Sequence, residues 1–207
     1  MSNSSDYEKI LLHKEESVNI LSNKIKEIED NSWTQVSDSI RRKTGREPKV
    51  ELSTYGESLL FEFTSFLDIL IRYMNGEDIE SSDSYFKEDN INSLEPKDEF
   101  VNSLQDYYKN GVSNQKYSIS KIKGYRNKVT HATMLDLSKT FKWESGDGFP
   151  SLEENKFILP DDPEIAFEDY TYNQKIALFG MVEEIEKIMD NIWSFLEAED
   201  RFNKYSG

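Results

Sequence analysis

Apolar residues recur at spacings of three, four and seven along most of the chain, the period of helices with one face turned inward. Tyr7, Leu11, Val18, Leu21, Ile25 and Ile28 predict an amphipathic helix of about six turns. Ser5, with Glu8 three residues on, marks its start as a capping box, in which each side chain takes one of the helix's orphan amides. The pattern stops near Asp30 and Asn31. A second box, Ser32 to Gln35, predicts a shorter helix whose face carries Trp33, Val36 and Ile40. Its end is basic at Arg41, Arg42 and Lys43, the sign favoured beside the last carbonyls, and Gly45 and Pro48 predict a turn.

From Leu52 to Asn75 the polar positions shrink to one stripe: Thr54, Ser58, Glu62, Ser65, Asp68 and Arg72. Leu59, Leu60, Phe63, Phe66, Leu67, Leu70 and Ile71 fill the rest, so this helix is expected at the centre, covered by several neighbours. The acidic stretch from Gly76 to Glu95 reads as an exposed loop. Pro96 is expected in the first turn of a helix carrying Phe100, Val101, Leu104, Tyr107 and Tyr108 and stopping at Gly111. A further helix is predicted over Asn114 to Leu135, with Ser118, Ile122, Tyr125, Val129 and Ala132 on one side and Gly124 as a kink or boundary.

The period then fails. Thr140–Trp143 and Lys156–Leu159 suit a pair of short strands around the turn residues Gly146, Asp147, Gly148 and Pro150. A third capping box, Thr171 to Gln174, opens the last long helix, with Ile176, Phe179, Val182, Ile185, Met189, Ile192 and Leu196 as its seam. Glu183, Glu184, Glu186, Lys187 and Asp190 fall mostly on its water side. The expectation is one all-α domain over residues 1–207. It is an antiparallel bundle of four to five main helices with an irregular insertion at about 136–170, in which a short hairpin is one option.

Composition narrows the chemistry. The 207 residues include no cysteine, which excludes a disulfide framework, a thiolate metal site, an iron–sulfur cluster and a cysteine nucleophile. Twelve Phe, 11 Tyr and three Trp supply the core material that disordered chains lack. No secretory leader pattern opens the chain, and its longest apolar stretch, Leu59 to Met74, is broken by Glu62, Asp68 and Arg72. A soluble cytoplasmic protein with no membrane partner is expected.

Charge is uneven. The net charge is −15, with 25 basic against 40 acidic residues. Yet Tyr107 to Leu135 holds no acid and six bases: Lys109, Lys116, Lys121, Lys123, Arg126 and Lys128. A patch of this sign on an acidic body suits a phosphate backbone, unless neighbouring acids or a second subunit neutralise it.

Inside the patch stands Tyr125-Arg126-Asn127-Lys128-Val129-Thr130-His131. Arginine offers a planar fork matched to phosphate oxygens, and histidine exchanges a proton near neutral pH. With RNA that pair suffices in principle: once the 2′-hydroxyl loses its proton it attacks the adjacent phosphodiester. No compact Asp/Glu/His set surrounds His131, so neither a metal centre nor another cofactor is expected. Asn127 lies one turn from His131, where it orients the imidazole, touches a phosphate oxygen or serves a neighbouring helix. Arg126 and His131 differ by roughly 140° around an ideal axis. They converge only if the helix begins or bends near Gly124, or if two copies meet across a two-fold axis. Lys121, Lys123 and Lys128 are the flanking candidates for RNA contact. Tyr125 is a candidate for base stacking, although its spacing from Ile122 and Val129 favours packing. His13, beside Lys14, Glu15 and Glu16, is expected exposed and without a catalytic role.

The Arg126–His131 segment resembles the HEPN superfamily, whose signature is an Arg, four to six residues and a His, often with Asn directly after the Arg. The likeness extends to an all-helical setting over about residues 6–203. It implies a homodimeric bundle in which two motifs line a shared cleft, and a metal-independent endoribonuclease of toxin–antitoxin or anti-phage systems. Arg126 and His131 would be the catalytic pair, Asn127 the supporting group, and an antitoxin or defence protein a further partner. Thr133 stands where nucleotidylated members carry tyrosine. Other members bind RNA, nucleotides or proteins without cleaving, which is the alternative.

Overall fold

The widest apolar face belongs to the most deeply covered helix. In the computed structural model, residues 4–34, 48–79, 85–95, 97–131, 135, 137–144, 151–164 and 175–198 are described, with the backbone alone at 4–5, 30–34, 48, 131, 138–144 and 151–156. Helix α2 (Pro48–Met74) buries Leu59, Leu60, Phe63, Phe66, Leu67, Leu70 and Ile71 completely. Fully burying one such side chain contributes about 1.5–3 kcal/mol, so this helix organises the core. On its opposite side Phe61 is exposed.

Helix α1 (Ser4–Thr34) lies along α2 and reaches the last helix, α6 (Leu178–Ala198). Tyr7, Leu11, Val18 and Ile25 are buried, with Leu21 and Ile28 packed against them. Lys14 pairs with Glu62 at 2.8 Å and Lys26 with Glu186 at 2.5 Å, tying α1 to both neighbours. The expected stop at Asp30 is not observed. No glycine or proline stands between Lys24 and Thr34, so the box at Ser32 is read through and α1 continues. The remainder of the predicted second helix, with Val36 and Ile40, lies outside the described residues, as does Pro96.

The acidic stretch is not only loop. Helix α3 (Glu88–Ser93) forms within it, because Phe86, Ile91 and Leu94 drop into the core from between the acids. Helix α4 (Glu99–Asn110) starts later than Pro96: Asp98 is its N-cap, accepting from the Val101 amide at 3.0 Å. It ends at Gly111, whose φ of 68° suits glycine. The predicted Asn114–Leu135 helix divides into a 3₁₀ turn, Gln115–Tyr117, and helix α5 (Ile119–His131). The Asn114 side chain accepts from the Lys116 amide at 2.9 Å, an early turn that competes with a continuous helix.

Strands β1 (Ser138–Glu144) and β2 (Ser151–Pro160) make the hairpin, antiparallel, with Thr140 opposite Lys156. A third strand, β3 (Lys175–Ala177), pairs Ile176 with Leu159. Ile176 therefore belongs to the sheet and not to the α6 seam: both paired side chains are buried, and cross-strand packing outweighs the helical period. The Thr171 box lies outside the described residues. In α6, Val182, Ile185, Met189, Ile192 and Leu196 are buried. Glu184 also turns inward, contrary to expectation. Its carboxylate accepts from the amides of Val112 and Ser113, the latter at 2.7 Å, which the turn after Gly111 leaves without partners. The architecture is an irregular helical bundle with a small antiparallel sheet inserted. No described helix is long and apolar enough to cross a membrane.

Candidate functional site

Helix α5 carries the Arg–His segment and is held on two sides. One side faces α2. The other is covered by residues 160–163, the stretch running out of β2. Gly124 permits this approach, since a Cβ there would sit 2.5 Å from Pro163 Cγ. The glycine is not a boundary, for α5 is unbroken from Ile119 to His131.

That packing consumes most of the basic patch. The Tyr125 ring is fully buried and its hydroxyl donates to the Pro160 carbonyl. Burial, with Asp161 and Asp162 nearby, pushes its phenol well above the usual range. In this fold its face is not open to a base, so Tyr125 is a packing residue. Lys121 donates to the Asp161 carbonyl at 3.3 Å and Lys128 to the Pro163 carbonyl at 2.7 Å. Lys116 lies 3.8 Å from the Asp161 carboxylate, and Lys109 pairs with Glu88 at 2.7 Å. Lys123, mostly buried, donates to Asp68 of α2 at 2.9 Å. Desolvation lowers the Lys123 ammonium pKa; Asp68 opposes this and the charge of Arg126 adds to it. Of the three lysines expected to touch RNA, all are thus engaged by the protein itself.

Arg126 is held by a side-chain amide and an aromatic ring. Among the described residues its guanidinium meets no carboxylate. Its Nη1 donates to the Asn127 side-chain oxygen at 3.2 Å, and its carbon lies 5.2 Å from the centroid of the Phe61 ring. Its Nε is buried with no hydrogen-bond partner among the described residues. The acids nearest along α2 are committed elsewhere: Glu57 accepts from the Leu135 amide, Glu62 from Lys14, and Asp68 from Lys123 and the Phe86 amide. An arginine held by neutral groups keeps its full charge for an anion.

Asn127 is exposed beside it. The backbone of His131 closes α5 one turn further on, and its imidazole lies outside the described side chains, as does Thr133. Arg126 and His131 thus share one helix, five positions apart along its backbone. His13 is exposed on α1, as expected. Among the described residues no group of three or more His, Asp or Glu is placed to hold a metal ion.

Phe61 was not anticipated. Its signal in the sequence is an aromatic flanked by Ser58 and Ser65 on the otherwise polar side of α2. In comparisons with known proteins, no family model, curated protein or solved structure matches the chain.

Proposed function

We propose that the chain is a metal-independent endoribonuclease of the HEPN type, acting as a homodimer in a cytoplasmic toxin–antitoxin or anti-phage system. The single observation that supports this is Arg126, oriented by Asn127 and Phe61 yet lacking a carboxylate partner among the described residues, on the same helix as His131. Arg126 binds the scissile phosphate and stabilises the charge that develops on it. His131 of one copy takes the 2′-hydroxyl proton, and its counterpart protonates the leaving 5′-oxygen. The products are a 2′,3′-cyclic phosphate and a 5′-hydroxyl.

The test is RNA cleavage in EDTA by the parent, His131→Ala and Arg126→Ala proteins. Loss of a positioned acid or base lowers the rate by about 10²–10⁴-fold, and both variants should fall in that range. Equal cleavage by all three would refute the assignment. RNA binding without cleavage by any of them would select the non-catalytic module.

A further inference from the structure

Two side chains of α5 reach across to α2, and they are received differently. Lys123 meets a carboxylate, Asp68. Arg126, three residues later, meets the Phe61 ring, seven residues before Asp68 and so on nearly the same face of α2. An acid at position 61 would neutralise the guanidinium. An aromatic ring attracts the cation through its quadrupole and leaves the charge and the N–H edge unspent. Phe61 has no other evident task. It is 38% exposed, stands on the polar side of its helix, and belongs neither to the hydrophobic core cluster nor to the residues packed against it.

We propose that Phe61 is a positioning residue, whose ring holds the Arg126 guanidinium in the orientation that receives an RNA phosphate. This rests on RNA occupying the Arg126 site, but not on cleavage there. The Nε edge of the guanidinium is enclosed, so the phosphate approaches the Nη edge, which Asn127 shares. Without the ring the arginine side chain regains its rotamers, and part of the binding free energy goes into ordering it again.

The experiment uses the full chain and a mixed-sequence pool of 2′-O-methyl oligoribonucleotides, which lack the attacking hydroxyl and report binding alone. Phe61→Leu should weaken affinity about 5-fold, the scale of a single cation–π contact, and Phe61→Trp should restore it. Phe61→Glu, which hands Arg126 an acid, should bind as poorly as Arg126→Ala. In ¹⁵N spectra the Arg126 Nε–H resonance, identified by its loss in Arg126→Lys, should be displaced by the ring in the parent and return in Phe61→Leu. Parental affinity in Phe61→Leu beside a loss in Arg126→Ala overturns the proposal and leaves the nuclease standing. An undisplaced arginine resonance in the parent overturns it too, as does a change in sedimentation in place of affinity, which would assign the ring to self-association. Undiminished cleavage by His131→Ala, with Phe61→Leu still binding weakly, instead removes the nuclease and keeps the proposal.

Discussion

Replacing Asp68 by alanine tests whether the Lys123 rung fixes α5 on α2. One oxygen of Asp68 accepts two donors, Lys123 Nζ at 2.9 Å and the Phe86 amide at 2.7 Å, and the side chains of the ion pair are only 15% and 18% exposed. Removing one member of a buried pair costs about 3–5 kcal/mol, and an orphaned amide about 1–3 kcal/mol. The two penalties overlap, and the residual exposure lets water reach both sites. The expected loss is therefore about 3 kcal/mol in all. For a chain of this length each kcal/mol moves Tm by about 2–4 °C, so the midpoint should fall by roughly 6–12 °C. Asp68→Asn keeps an oxygen for Phe86 and leaves Lys123 without a counter-charge, so its loss should be smaller. Urea unfolding followed by both far-ultraviolet circular dichroism and tryptophan fluorescence measures this, since Trp193 packs against Phe66 in the core. A double-mutant cycle with Lys123→Met should return a coupling of about 1–3 kcal/mol. A loss below about 1 kcal/mol in Asp68→Ala, or strict additivity with Lys123→Met, would refute the reasoning.

Other perturbations have definite signs. Gly124→Ala places a methyl against the Pro163 ring; overpacking of about 1–3 kcal/mol outweighs the propensity gain of about 1 kcal/mol, and chemical denaturation should show a net loss. Glu184→Ala strands the Val112 and Ser113 amides and should destabilise by about 2–4 kcal/mol, with Glu184→Gln, which keeps an acceptor, clearly milder by the same measurement. Glu15 titrates above its usual 4.5, first through desolvation and then through Asp190 and Glu197. Its folded pKa is raised, so its stabilising share is present below the unfolded pKa and lost as pH rises through the folded one. Glu15→Gln should therefore be more stable than the parent at pH 7, with the gain vanishing below about pH 4 in calorimetric scans.

The helices that position the site were legible because burial imposes a period. Every residue assigned to the apolar face of α2 is buried, and the two short β-prone runs around glycine and proline do lie in paired strands, although Thr140 meets Lys156 and Trp143 meets Leu152, a register the sequence pattern did not supply. Errors fall where a local signal had a non-local rival. The Ser32 box offered a cap, and an uninterrupted helix overrode it. Ile176 fitted the α6 period, and pairing with Leu159 took it into the sheet. Phe86, Ile91 and Leu94 are too sparsely spaced among acids to betray α3, yet each found a place in the core.

At the site the same division holds. The residue types alone determined that Arg126, Asn127 and His131 lie on one helix within a segment free of acids, because helical spacing and charge are properties of the local chain. Which partner each cation meets was decided only by tertiary structure. Asp68 and the carbonyls of residues 160–163 come from elements far away in sequence, and their arrival engages Lys121, Lys123 and Lys128. Phe61 arrives at Arg126 in the same way, and because a ring holds a cation without neutralising it, that arginine stays available to an anion.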